Sequence, residues 1–344
     1  MIETRITRAL GLRTPIINAG MAMVARPHLA AAVANVGGLG MLGVDVLPPE
    51  AMRDMIRTTR TLTDEPFGVD LVKPFITDDH IEVAITERVS LLVTFWGGPE
   101  PEQRKRLLAA GIPFWMQVGS VAEAMEARAL GAEAIIVQGA EAGGHNRAEA
   151  SILALLPAVR RAVAPLPVIA AGGIHDGATM AAALALGAEA VWCGTRFLAS
   201  EEADAHRGYK ARVITAGVGD TLRTTLFGPE WRDAPVRVIA NAATREWAGR
   251  ENEALERCAG ETVATLHTPA GPVPLPRFSA YLPTTAVDGD LDQLCLTAGE
   301  CSGNITDVLP AAHIVEAMTR DCIACLDGCG TMLRRGTPMA RTDA

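Results

Sequence analysis

The segment Ala129–Val137 (ALGAEAIIV) returns almost unchanged as Ala185–Cys193 (ALGAEAVWC), 56 residues later. Each copy reads as the end of an Ala-rich helix, a glycine that stops it, and a buried strand. The offset holds two strand–helix units of about 28 residues each, close to the ~30 such a unit needs. A doubly wound sheet and a closed barrel both repeat in this way, so the number of units decides between them. Short apolar runs after Gly or Pro mark eight strands: Ile16–Ala19, Leu39–Leu42, Phe67–Leu71, Ser90–Thr94, Pro113–Val118, Ala134–Gln138, Val168–Ala171 and Ala190–Cys193. Helices over 27–35, 49–61, 78–87, 100–110, 121–130, 151–163 and 176–186 fill the gaps. Eight strands and seven helices before residue 194 predict an α/β chain folded as a (β/α)8 TIM barrel. Aromatic residues make up only 4% of the chain while Ala and Gly abound, which suits helices lying close on a parallel sheet and not a sandwich core.

After residue 200 the rhythm stops. Residues 214–290 carry Trp231, Trp247, several prolines and many charges, and read as a smaller, mostly helical insertion ahead of the last barrel helix. The expected organisation is a barrel over 1–213, an inserted substrate or lid subdomain over 214–290, a return to the barrel over 291–334 with a helix from about Pro310, and a flexible tail over 335–344.

The formal net charge is −9 and no long basic run exists, which argues against nucleic acid and anionic membrane surfaces as partners. No stretch of membrane-span length is free of charge, and Met1–Arg13 lacks the apolar core of a signal peptide. A cytoplasmic protein is expected, with its seven cysteines as free thiols. Cys322, Cys325 and Cys329 fall on one stripe of a helix. Tetrahedral metal closure is awkward from a continuous helix, so packing of the last helix on the barrel is preferred, and no metal is expected.

Two glycine-rich stretches need separating. Gly38–Gly43 (GLGMLG) matches the dinucleotide fingerprint GxGxxG, but that motif needs a strand before it and a helix after it. Here the helix comes first, so the stretch reads as a turn and a strand. By contrast, Gly172-Gly173 follows the seventh strand and Gly194-Thr195-Arg196 the eighth, the two places where this fold commonly binds phosphate. Glycine there lets backbone N–H groups approach an anion, the Thr195 hydroxyl adds a donor, and helix starts near Asp176–Gly177 and after Thr195 add positive dipole ends. The alternative is that these glycines only make tight turns. Their occurrence on adjacent strands favours the phosphate site.

The sixth strand ends in Gln138-Gly139-Ala140-Glu141-Ala142-Gly143-Gly144-His145. A single imidazole on a small-residue loop at the catalytic face can act as a general base near neutral pH. The other histidines (28, 80, 175, 206, 267 and 313) read as surface or structural groups on helices or in the insertion, away from the strand ends.

With these features in place, the chain resembles the nitronate monooxygenase (2-nitropropane dioxygenase-like) family. The segments that carry the likeness are PIINAGM (15–21), LAAAVANVGGLGMLG (29–43), PFGVDL (66–71), VQGAEAGGH (137–145), PVIAAGGI (167–174) and GAEAVWCGTRFLASEEADAH (187–206). They span most of 10–210, and the likeness returns at 298–317. The resemblance implies a non-covalent FMN, held by Ala19, Gly20, Met21, Asp70, Gln117, Gly144, Gly172, Gly173, Gly194 and Thr195. The segment Ala298-Gly299-Glu300 would close over it. It implies His145 as the base that removes a proton α to a nitro group, with O2 as oxidant. Asp70 stands where the family usually has Asn, and Glu300 where it usually has Gln, which puts carboxylates where amides would meet the flavin. Asn18 is a further polar residue expected near the pocket.

Three readings follow. The first is oxidation of nitroalkanes or alkyl nitronates by O2 to a carbonyl compound and nitrite. The second is an NAD(P)H-dependent FMN reductase of an enoyl thioester or quinone, since the wider superfamily shares the AGGH loop. The third is a non-catalytic barrel that binds a phosphate ligand. In all three the partner is a small molecule, and a homodimer is left open.

Overall fold

A computed structural model describes residues 1–229, 231, 234–258 and 260–334. Its main sheet holds eight parallel strands: Ile16–Asn18, Gly40–Gly43, Phe67–Val72, Leu91–Phe95, Phe114–Val118, Ala134–Gln138, Val168–Ala171 and Ala190–Cys193. From the second onward each pairs with the next, and the eighth returns to the first with Val191 opposite Ile16. A parallel bridge between Ile17 and Leu39 joins the first strand to the second and all but closes the ring. Gly40–Gly43 is a strand, as the motif order predicts.

Both faces of each strand are apolar because each meets a different core. Ile17, Met41, Leu91, Val93, Trp115, Ile136, Ile169 and Trp192 point inward and fill the barrel, with Ile6 and Leu12 packed in the same cluster. Their neighbours Ile16, Leu42, Val69, Leu92, Val137, Val168 and Val191 point outward against the helices. This two-residue alternation decides which strand-end residues face the mouth.

The helix Ala311–Arg334 packs on Gly177–Ala185 and Pro27–Asn35, completing the outer ring. A Cβ on Gly177 would lie 2.4 Å from the Cys322 amide nitrogen, so glycine sets the approach of these two helices. Cys322 is buried there and Cys325 packs partly buried against the same core, whereas Cys329 is exposed, so the cysteine stripe leaves the barrel at its far end.

The expectation of a mostly helical insertion is corrected. Strands Thr221–Thr224 and Val236–Ile239 form one small antiparallel sheet, and Thr262–Thr268, Gly271–Pro276 and Val287–Gly289 form another. Only the short helices Ala242–Glu246 and Glu251–Cys258 lie wholly within 214–290 among the described residues. Thr262–Thr268 and Gly271–Pro276 form a two-residue hairpin that is largely exposed, and its second strand carries Pro272, Pro274 and Pro276, so no buried apolar run announces it. The expected tail over 335–344 lies outside the described residues. Among the described residues no helix is long and apolar enough to cross a membrane.

Candidate active site

The alternation that fills the barrel brings polar side chains inward at the C-terminal ends of three strands: Asp70 on the third, Gln117 on the fifth and Gln138 on the sixth. With the loops beyond the strands they line a cavity of about 390 Å³, a size suited to a cofactor or small ligand. Ala19, Gly20, Met21, Asp70, Gln117, Gly144, His145, Gly172, Gly173, Gly194, Thr195 and Gly299 all border it. Residues from seven separate stretches of sequence thus converge on one space.

Two expected side chains do not. Asn18 has the outward parity of Ile16, and its amide bonds the backbone of the second strand. Its Oδ1 accepts from the Met41 amide at 3.0 Å and its Nδ2 donates to the Met41 carbonyl at 2.9 Å. Glu300 lies on the 3-10 turn Glu300–Asn304, outside the cavity, with its carboxylate 3.2 Å from Arg237 Nη2. Its backbone stays with the site, since the Glu300 amide donates to the Glu141 carbonyl at 3.0 Å.

The phosphate turns are formed as expected in part. Gly172 and Gly173 have φ of 103° and 72°, a left-handed run that a side chain would strain. Thr195 opens a single helical turn, Thr195–Leu198, and its Oγ1 accepts from the Gly299 amide at 2.9 Å, tying the C-terminal segment to the eighth strand. The helix Gly177–Ala185 is capped by its own Asp176, which accepts from the Thr179 amide at 2.8 Å, and Asp176 does not border the cavity. Its dipole end therefore serves the cap. His175 sits in the loop past the seventh strand, not on a helix, with Nδ1 3.3 Å from the Gly173 carbonyl.

His145 is held from three directions. Its backbone pairs with Val236 of the insertion. Its carbonyl accepts from Gln138 Nε2 at 3.2 Å. Its Nδ1 lies 3.1 Å from the Ala234 carbonyl. A carbonyl only accepts, so Nδ1 carries the hydrogen and the lone pair falls to Nε2. Burial lowers the pKa of the ring, offset in part by hydrogen bonds to the Ala234 and Pro235 backbone, so the imidazole is neutral and basic at neutral pH. The loop before it is pinned by buried Asn146, whose Nδ2 donates to the carbonyls of Gly139, Ala140 and Ala142 at 3.0, 3.2 and 3.0 Å.

Sequence reading passed over several residues of the site. Trp231 of the insertion lies 4.6 Å from the His145 ring, centroid to centroid, and Trp96 lies 5.8 Å away at φ 66°. Neither has a local signal that places it beside His145. Asp45, just past the second strand, also borders the cavity. A strand-end position was its one available signal.

The nitronate monooxygenase family profile matches residues 3–79 and 75–321. A relative in Rhodococcus jostii (strain RHA1), named (3aS,4S,5R,7aS)-5-hydroxy-7a-methyl-1-oxo-octahydro-1H-indene-4-carboxyl-CoA dehydrogenase, is 30% identical over 96% of this chain and 99% of its own. A nitronate monooxygenase of Paraburkholderia phytofirmans (strain DSM 17436 / LMG 22146 / PsJN) is 34% identical over 68% of this chain and 76% of its own. The solved structure of FabK from Thermotoga maritima superposes with a TM-score of 0.80 at 32% identity, covering 96% of this chain and 100% of the other. The relatives are named for oxidation–reduction chemistry, which removes the reading as a non-catalytic phosphate-binding barrel. With a barrel mouth of this geometry and a match over nearly its whole length, the chain is an oxidoreductase that belongs to the nitronate monooxygenase family.

Proposed function

We propose that the cavity holds FMN and that the chain oxidises nitroalkanes or alkyl nitronates with O2 to a carbonyl compound and nitrite, with His145 as the general base. The residues fit the cofactor on two observations. Gly172 and Gly173 leave backbone without Cβ at the phosphate end. In addition, Gln138 Oε1 and Asp70 Oδ1 are buried on the wall without a hydrogen-bond partner, and buried polar atoms of that kind call for a ligand group. Gly172, Gly173, Gly194 and Thr195 would hold the phosphate, and Ala19, Gly20, Met21, Asp70, Gln117, Gly144 and Gly299 the rest. When bound, FMN accepts electrons from a carbanion.

The observation that carries the base role is the neutral, Nδ1-anchored imidazole of His145 at the cavity wall. Its Nε2 takes the proton next to a nitro group, and the Ala234 carbonyl stabilises the imidazolium that forms. Trp231 and Trp96 keep water from this side of the ring.

His145→Asn tests this. It slows turnover of the neutral nitroalkane by about 10²–10⁴-fold, while the pre-ionised nitronate, which needs no base, is turned over at nearly the wild-type rate. Equal slowing of both rejects the assignment. Oxygen uptake and nitrite release read the result.

The reductase reading is favoured by one observation, the near full-length likeness to a relative named as a CoA-thioester dehydrogenase. Anaerobic mixing with NADH and NADPH separates the two: rapid bleaching of the flavin selects the reductase, and none selects the O2-dependent reaction.

A further inference from the structure

His145 is not the only group in this cavity able to hold a proton. Asp45 and Asp70 also border it, each only 7% exposed, and Oδ1 of each has no hydrogen-bond partner. Asp70 lies in the C-terminal half of the third strand, Phe67–Val72, with the inward parity of Gly68. Asp45 follows the second strand, whose Gly43 lies opposite Asp70. The two sit on the side of the ring across from His145, which follows the sixth strand: in a ring of eight, strands two and six are diametrically placed. Gly20 makes this arrangement possible, since a Cβ there would lie 2.2 Å from the Asp70 Cβ.

No Lys or Arg is among the described residues that line the cavity. The other titratable groups on its walls are His145, Tyr281, Cys295 and Cys301. Charges on flanking elements are already engaged: Lys73 with Glu100 at 2.6 Å and Arg26 with Asp204 at 3.6 Å. The His80 ring bonds the Leu47 carbonyl at 2.8 Å. Two neighbouring carboxylates in an apolar space without a cation cannot both be ionised near neutral pH. Burial and the neighbouring Asp45 both raise the pKa of Asp70 well above the carboxylate range, and burial pushes Asp45 up to about 8.

The geometry points to Asp45 and Asp70 as an acid pair that keeps at least one proton at neutral pH and presents a neutral carboxyl O–H to an acceptor atom of the bound molecule. A carboxylic acid is then the functional equivalent of an amide at residue 70: one donor and one acceptor, but a donor that high pH removes. With FMN as that molecule, the inference rests on the flavin reading above, and its binding becomes pH-dependent.

The protonated carboxyl is read without flavin. In infrared spectra of the unliganded protein at about pH 7, a carboxylic-acid C=O stretch is expected, lost as pH rises to about 10. In Asp45→Asn the band persists but titrates at lower pH, because Asp70 has lost its like-charged neighbour. Absence of the band at neutral pH, or identical titration in Asp45→Asn, overturns the pair. FMN titrations followed by flavin fluorescence give the second arm. Wild-type affinity is expected to fall by about tenfold or more as the pair loses its proton, whereas Asp70→Asn, which donates at every pH, holds a flat profile. The same fall in Asp70→Asn overturns the donor role. Failure of FMN to bind at any pH strikes the flavin reading alone, and the infrared titration still decides the pair.

Discussion

Asp45 and His145 perturb stability in opposite directions. Between the ordinary carboxyl value of about 3.9 and its own value of about 8, Asp45 holds a proton in the folded protein that the unfolded chain has released. The folded state binds more protons, so stability falls as pH rises through that window. Asp45→Asn removes this slope: its Tm exceeds that of the wild type at about pH 9, and the difference closes towards about pH 4. Equal Tm differences at the two pH values contradict the buried acid. His145, with its pKa lowered, does the reverse, since the unfolded chain takes up a proton that the folded ring refuses as pH drops below about 6.5. His145→Asn is therefore less sensitive to mild acid than the wild type, read in the same melts.

At the scale of elements, the site depends on backbones that touch. A Cβ on Gly143 would lie 2.4 Å from the carbonyl carbon of Ala298 and the amide nitrogen of Gly299. The obstacle is main chain on both sides, so Gly143→Ala forces the loop that carries His145 away from the C-terminal segment, at a cost of about 1–3 kcal/mol. Gly328→Ala is the matched control. That glycine lies inside the helix Ala311–Arg334 with open space where its Cβ would stand, and the change stabilises by about 0.5–1 kcal/mol. Urea midpoints of the two variants, moving in opposite directions, check both. The barrel strands were legible from sequence because each is a local apolar run. The insertion's strands were not: those of the hairpin over 262–276 are largely exposed, and Val236–Ile239, though mostly buried, takes its place only by pairing with Thr221–Thr224 and with His145.

Across the whole molecule, Arg237 joins three distant parts. It sits on an insertion strand, its Nε and Nη2 donate to the Ala140 carbonyl of the His145 loop at 3.1 and 3.0 Å, and its Nη2 pairs with Glu300 of the C-terminal segment. Arg237→Ala is expected to destabilise by about 1–3 kcal/mol and to slow both the nitroalkane and the nitronate, since it displaces the loop and not the base alone. A loss of stability with unchanged kcat for both substrates would separate Arg237 from the site. Glu300 was expected at the cofactor. It faces Arg237 instead because residue 237 reaches that place only once the insertion has folded back over the barrel.

What the amino-acid order determined on its own is the repeating unit and the number of strands, while Asp70 and Gln117 entered as site residues through the family resemblance. The repeat and the strand count are local: an apolar run and a glycine stop need no knowledge of the rest of the chain. Only the tertiary structure decided that Asp45 stands beside Asp70, that Ala234 and Val236 anchor His145, and that Asn18 and Glu300 turn away. Each of these depends on ring closure or on the return of the insertion. Contacts between residues far apart in sequence are set by the shape that packing selects, and no short window of residues encodes them.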